Sequence, residues 1–418
     1  MIVPLLVLGV VVVLIAVRQV GSLRLQIWQV MALGAAGMLL TRSIGPLHAL
    51  DAIDIDVMLF LFGMFVLGRA MEESGALADL SYRLFSRARS VDGLVLLILF
   101  GAGGASALLM NDTLAIVGVP VVVGLARAHR VTPRLTLIAL AFAVTAGSVI
   151  SPIGNPQNLL VALGSEEDGN PFVTFARWLA LPTLGALLLS FVALRIAYRG
   201  EFHGDALVHE RDQIRDASLA RISMVALGVL VALIAARIVL VSVGSEIDLR
   251  LTVIALVPAA IVLAGSPRRI SLARGIDWPT LAFFAALFIV VEAVDDAGVT
   301  AEVVTRLGDR VTSTPWVLAA SAAGSQLVSN VPLVALYLPA IDHAAGDVEA
   351  YMALVAGSTL AGNLTLIGAA SNVIIIDNAE RRFGERVSFW EFTRVGLPLG
   401  IAQLLLTWAL LALTRALP

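Results

Sequence analysis

Three polar residues in a row, Asn111-Asp112-Thr113, interrupt an apolar stretch from Leu94 to Ala126, with 17 residues before them and 13 after. An amide, a carboxylate and a hydroxyl side by side can coordinate a cation, hydrogen-bond an oxygen-rich solute or carry a proton. A second apolar stretch, Val317 to Pro339, is interrupted by Ser329-Asn330, with Pro332 just beyond. Each of these pairs is followed by another apolar run containing turn chemistry. In the first, Ser151-Pro152-Ile153-Gly154-Asn155-Pro156-Gln157-Asn158 holds two prolines, a glycine and an asparagine that no continuous helix accommodates. Proline in a first helical turn behind an asparagine is a start signal, so the helix breaks and restarts there. In the second, Gly362-Asn363-Leu364-Thr365-Leu366-Ile367-Gly368, continuing into Ala369-Ala370-Ser371-Asn372, does the same without proline. The candidate substrate- or ion-binding residues are therefore Asn111, Asp112, Thr113, Gly154, Asn155, Asn158, Ser329, Asn330, Thr365, Gly368, Ser371 and Asn372. No catalytic set accompanies them.

The surrounding composition decides which chemistry these residues can serve. Of 418 residues, 59% are hydrophobic and 14% charged, against roughly 45–50% and about 25% in soluble domains. With a mean hydropathy of +0.94, the chain is not a water-soluble enzyme. The absence of cysteine and lysine removes disulfides, thiolate sites, Schiff bases and a P-loop. His48, His129, His203, His209 and His343 are dispersed and form no HExxH pattern, so no metal cofactor or other cofactor is expected. A net charge of −3 with scattered basic residues leaves no nucleic-acid surface.

The elements that must position the polar steps are membrane spans. Apolar runs such as Met1–Val17, 222–243 and 397–413 approach the roughly 20 residues that a helix needs to cross a bilayer. Met1–Val17 lacks a positively charged start and a cleavage site, which makes it a retained first span. Loop charges then set the topology by the positive-inside rule. Arg18 and Arg24, the run Arg69, Arg83, Arg87 and Arg89, and Arg127, Arg130 and Arg134 fall inside; Asp51, Asp54 and Asp56, and Glu166, Glu167 and Asp168, fall outside. The polar stretch 199–220, with Arg199, Arg211 and Arg215, is a cytoplasmic linker. Beyond it Glu246 and Asp248 fall outside, Arg268, Arg269 and Arg274 inside, Asp295 and Asp296 and later Asp342, Asp347 and Glu349 outside, and Arg381, Arg382 and Arg386 inside. Both termini then lie on the non-cytoplasmic side of the cell's plasma membrane.

This alternation predicts an all-α polytopic membrane protein, an inverted repeat of two five-span halves. Residues 1–198 hold a re-entrant hairpin near 94–126 and a broken helix near 135–163; residues 221–418 hold a hairpin near 313–341 and a broken helix near 351–376. Five crossings per half force opposite orientations. Self-similarity agrees: residues 54–77 resemble 277–300, with Asp54 over Asp277 and Gly75 over Gly298. Asn111-Asp112 falls over Ser329-Asn330, and Phe175-Ala176-Arg177 over Phe392-Thr393-Arg394. Broken helices expose unpaired N–H and C=O groups that carry about half a unit charge at each end. Two tips and two breaks joined across a pseudo-two-fold make one site near the midplane. Singly, a polar residue or glycine kink inside a membrane helix is more often a packing feature; four at matched places favour a site. Asp112 weighs most, since an ionisable group at bilayer depth costs at least roughly 2.5–3.5 kcal/mol. Arg237 and Glu292 are expected to snorkel or pair structurally, and Gly101, Gly103 and Gly104 to serve close helix packing.

On the Asn111-Asp112-Thr113 and Ser329-Asn330-Val331-Pro332 tips, and on the two breaks quoted above, the sequence resembles the ion transporter superfamily that includes arsenite efflux permeases, sodium/dicarboxylate symporters and NhaD-type antiporters. It looks closest to the arsenite permease and YbiR-like anion permease branches. The resemblance covers essentially the whole chain. It implies a homodimer whose outer helices form a scaffold while the hairpins and broken helices slide as an elevator. It also nominates Asn111 and Gly154 for one Na⁺ site, and Ser329, Asn330 and Gly368 for another. In the dicarboxylate branch both tips read Ser-Asn-Thr; here Met110, Asp112 and Val331 depart from that pattern.

A carboxylate at the tip disfavours a free dicarboxylate. The expected function is thus secondary active transport of a small anion or neutral oxyacid of the arsenite or antimonite type, driven by H⁺ or Na⁺, with Asp112 as the titrating group. A Na⁺/H⁺ antiporter and a Na⁺-coupled dicarboxylate carrier are the rivals, with a soluble ATPase partner on the cytoplasmic face left open. An intramembrane enzyme needs a second catalytic group, and no span supplies one near Asp112.

Overall fold

Long helices that are apolar on every side cannot hide all their apolar surface within one chain, so they belong in lipid. The computed structural model, which describes residues 2–17, 19–20, 23–76, 79–80, 88–164, 170–202, 215–245, 247 and 249–416, is built of such helices. Val225 and Val239 on one of them, and Leu188 and Leu405 on two others, are each more than half exposed. The chain is an integral membrane protein. Of the charges used above for topology, Arg18, Arg83, Arg87, Glu166, Glu167, Asp168, Arg211, Glu246 and Asp248 lie outside the described residues, as do His203 and His209.

The helices are α1 (Ile2–Val17), α2 (Ile27–Leu40), α3 (Pro46–Asp51), α4 (Ile55–Ser74), α5 (Val91–Leu108), α6 (Asn111–Ala128), α7 (Pro133–Ser148), α8 (Pro156–Gly164), α9 (Pro171–Ala197) and α10 (Ala217–Ser242). They continue with α11 (Leu251–Gly265), α12 (Arg269–Arg274), α13 (Trp278–Asp296), α14 (Val299–Leu307), α15 (Thr314–Val328), α16 (Asn330–His343), α17 (Val348–Leu360), α18 (Ala370–Phe383) and α19 (Phe389–Ala416). One departure from an all-helical chain is a two-residue antiparallel pair, Gln19–Val20 with Leu23–Arg24.

Local sequence explains where several helices start and stop. Asp54 caps α4 by accepting from Val57 N at 3.0 Å, and Asp277 caps α13 by accepting from Thr280 N at 3.1 Å. After each, a glycine with positive φ turns the chain, Gly75 at 77° and Gly298 at 73°. These are the positions that the internal alignment places over one another.

Packing sorts the helices into two groups. In the outer group α4 lies against α10 and α11, and α2 against α1 and α13. In the other, α5 and α6 pack on α7, α15 and α16 on α17, α8 on α16, α18 on α6, and α9 on α19. Small residues set the closest approaches, as the absence of a lipid-driven hydrophobic force between helices requires. A Cβ on Gly147 of α7 would overlap Gly103 of α5, and one on Gly357 of α17 would lie 3.0 Å from Leu318 Cα of α15. Within α5, the turn Ile98–Ala102 is a π-helical segment packed against α7. The close-packing role expected for the nearby glycines therefore applies to Gly103; a Cβ on Gly104 would meet nothing within 4 Å. Arg237 is buried, with Nη1 donating to Leu249 O at 2.8 Å, and Glu292 pairs with His48 at 3.1 Å.

Gly147→Val would drive a branched side chain into Gly103. It should lower stability by about 1–3 kcal/mol, read as a fall in the thermal unfolding midpoint of the purified protein in detergent; an unchanged midpoint would contradict this packing.

Candidate functional site

The chemistry of the site begins with two gaps in helical hydrogen bonding. Between α7 and α8 the chain leaves helix at Val149 and restarts at Pro156; between α17 and α18 it passes through short 3₁₀ turns at Ala361–Asn363 and Leu366–Gly368. Backbone groups freed in this way must find partners, because no water is at hand. Asparagines supply them. Asn155 Oδ1 accepts from Asn158 N at 2.9 Å, capping α8, and its Nδ2 donates to Ser148 Oγ at 3.0 Å. Asn158 Nδ2 donates to Ser148 O and Ser151 O, both at 2.9 Å. In the second half Asn372 Nδ2 donates to Gly362 O at 2.6 Å. Each asparagine thus reaches back ten residues, Asn158 to the last residue of α7 and Asn372 to the 3₁₀ turn that follows α17.

The halves also hold one another. Thr359 of α17 donates to Asn158 Oδ1 at 3.2 Å and accepts from Asn155 Nδ2 and Gln157 Nε2, both at 3.4 Å. Its counterpart Thr145 packs on the second break, where a Cβ on Gly362 would lie 3.0 Å from Thr145 Cγ2.

Each hairpin tip docks on the break of its own half. Asn111 N donates to Gly154 O at 3.1 Å, and the Asn330 amide, with its nitrogen turned to the carbonyls it faces, donates to Gly368 O at 3.1 Å and Ser358 O at 3.2 Å. Both asparagines are the first residue of the second hairpin arm, so Asn111 corresponds to Asn330 and Met110 to Ser329. The pairing of Asn111-Asp112 with Ser329-Asn330 is out of register by one, because sequence similarity at a two-residue tip cannot fix the turn. Ser329 itself has φ 74° in the turn.

A cavity of about 420 Å³ opens where these parts meet the outer helices. Asn111, Asp112, Ser329 and Asn330 line it from the tips, Pro156, Gln157, Ala369 and Ala370 from the restart points, and Gln26, Trp28, Asp277, Thr280, Phe283 and Phe284 from α2, α13 and their approaches. Its lining contains two carboxylates and no arginine, lysine or histidine. The other nominated residues stand behind it. Gly154, Asn155, Asn158 and Asn372 hold the breaks, and Thr365 Oγ1 donates to Gln326 Oε1 at 2.7 Å while Gln326 Nε2 donates to Ala361 O at 2.8 Å. Gly368 packs against the same glutamine, and Thr113 turns to Gly68 of α4. Buried oxygens without a partner among the described residues include Asn111 Oδ1, Thr145 Oγ1, Ser325 Oγ, Ser371 Oγ and Asn372 Oδ1 on these elements, and Thr183 Oγ1, Thr393 Oγ1 and Thr407 Oγ1 on α9 and α19. Such oxygens fit a hard cation.

Sequence reasoning missed Gln26, Trp28, Gln326 and the role of Asp277. Only Asp277 carried a signal, its match with Asp54. The structural pairing expected for Glu292 is made by His48, whose Nε2 lies 3.1 Å from Glu292 and whose Nδ1 lies 3.4 Å from Asp296. None of these three residues lines the cavity.

The family model described as citrate transporter matches residues 10–352. The chain belongs to the citrate transporter family. An uncharacterised transporter of Mycobacterium tuberculosis is 31% identical over 362 residues, which is 82% of each chain. The human P protein is 25% identical over 446 residues, covering 85% of this chain but 53% of that longer protein. Among solved structures, the Alcanivorax borkumensis YdaH transporter aligns over 99% of this chain and 96% of its own, with a TM-score of 0.62 at 18% identity. That likeness concerns the fold. The family and its transporter-named relatives mark this membrane protein as a transporter rather than an enzyme.

Because Asn158 satisfies two buried carbonyls at once, Asn158→Asp removes both donors without changing shape. Leaving these groups unpaired should cost about 1–3 kcal/mol each, so this variant should unfold at lower temperature than Asn372→Asp, which frees one; equal midpoints would refute the account of the breaks.

Proposed function

We propose that this member of the citrate transporter family is a secondary active transporter that binds a small solute in the cavity between the two hairpin tips and the outer helices. The observation that carries this reading is the convergence of both tips and both restart points on one cavity whose lining holds Asp112 and Asp277 and no cationic side chain. Two like charges about 4 Å apart cost about 4 kcal/mol at an effective dielectric of 20. A free polyanion entering such a cavity meets the same repulsion. A neutral oxyacid of the arsenite or antimonite type, or an anion such as citrate escorted by protons or cations, is therefore favoured over a bare dicarboxylate.

Coupling through H⁺ or Na⁺ follows from the same groups. Asp112 carries the proton in the first case. In the second, Asn111 with Gly154, and Ser329, Asn330 and Gly368, are the oxygen donors for Na⁺, with the unpaired Asn111 Oδ1 supporting the first set. The packing of the helices in two groups suits an elevator in which the hairpins and broken helices slide against the outer helices. Gln26 and Asp277 lie next to loops that the positive-inside rule places in the cytoplasm, so the cavity faces inward. A homodimer in the plasma membrane, with both termini outside, completes the reading.

A Na⁺/H⁺ antiporter is the second reading, favoured by the acidic lining alone. In proteoliposomes with an imposed pH or Na⁺ gradient, citrate, succinate or arsenite should accumulate, and Asp112→Asn should abolish gradient-driven uptake. Uptake indifferent to every gradient would reject secondary transport, and Na⁺-dependent proton movement without any solute would establish the antiporter.

A further inference from the structure

We propose that Asp277, fixed on the outer helices, forms with Asp112 a carboxylate pair that shares one proton, and that this pair ties proton binding to the position of the first hairpin tip. This coupling device presupposes the transport reading above and adds a residue on the stationary side.

Asp277 is held rigidly. Its Oδ1 accepts from Thr280 N at 3.1 Å and its Oδ2 from Thr280 Oγ1 at 2.6 Å. It starts α13, which packs against α2 in the outer group, whereas Asp112 lies in the first turn of α6, the second arm of the hairpin. Both carboxylates line the one cavity, and nothing cationic joins them there. Among the described residues the cavity lining offers no neutralising charge: α2 and its approach contribute Gln26 and Trp28 to it, and the second tip Ser329 and Asn330. Arg69 of α4 reaches the turn before Asp277, where a Cβ on Gly275 would lie 3.0 Å from its Nε, but its guanidinium is paired with Glu72 at 3.2 Å and Glu73 at 2.8 Å. An independent observation points to a bound positive group. Asn111, beside Asp112 in the same lining, is only 9% exposed, and its Oδ1 has no donor among the described residues.

Two carboxylates lining one cavity, with no cation in that lining, repel unless a proton lies between them, and the proton then belongs to the pair. Asp277 stays with the outer helices while Asp112 travels with the tip. The proton is therefore held differently in the two positions, and by linkage its binding biases the tip's position by the same factor. The repeat provides an internal control. Asp54 caps α4 as Asp277 caps α13, yet Asp54 does not line the cavity.

The test compares Asp277→Asn with Asp54→Asn, since asparagine caps a helix as well as aspartate does and both variants should keep the wild-type unfolding midpoint. In proteoliposomes supplied with citrate, succinate or arsenite, protons moved per solute should fall at least about fivefold in Asp277→Asn and stay at the wild-type ratio in Asp54→Asn. Infrared difference spectra read the pair without transport: a protonated-carboxyl band in the wild type should disappear in both Asp112→Asn and Asp277→Asn. A wild-type proton-to-solute ratio in Asp277→Asn, or wild-type flux that carries Na⁺ and no protons, overturns the pair and leaves the transport reading intact. Absence of flux for all three solutes, with the infrared band present and lost in both variants, rejects the transport reading and upholds the pair.

Discussion

A polypeptide that stops being helical inside a water-poor bundle must supply its own partners for the backbone groups it frees. This constraint organises the structure. Asn158 and Asn372 answer it at the two breaks, each by reaching ten residues back, one to the carbonyl that ends the preceding helix and the other to a carbonyl of the turn that follows it. Once those asparagines are in place, Gly154 and Gly368 can present their carbonyls to the hairpin tips, because a side chain at either position would collide with the helix end beside it. The tips dock, and the cavity is what remains between them and the outer helices.

The cavity's charge follows from its builders. The polar groups of its lining are amides, hydroxyls and carboxylates set among apolar residues such as Phe283, Phe284 and Pro332, and several arginines are paired elsewhere: Arg69 with Glu72 and Glu73, Arg127 with Glu385, Arg195 with Asp92. A family described by citrate transport thus has here a member whose cavity offers no fixed positive side chain. Asp112 and Asp277 are therefore not offset by any cationic side chain in that lining.

Thr359 and Thr145 give the two halves mutual dependence. Thr359 bonds to three side chains at the first break, and Thr145 packs on the second. Through these contacts each break is held against the helix that precedes the other.

Composition and pattern alone determined that the chain is a helical membrane protein and that Asn111, Asp112, Ser329, Asn330 and the two breaks interrupt its spans. Those features are legible because a bilayer tolerates few polar residues and because proline and glycine end helices by local sterics. What only the tertiary structure decided is which polar groups face the cavity and which brace it. Thr113 and Asn158 read like ligands in sequence, yet one packs on Gly68 and the other holds carbonyls. Asp277 read like a helix cap and is one, but it also faces Asp112's cavity from 165 positions further along the chain. Burial and orientation at long range depend on how helices pack, and no local pattern encodes that.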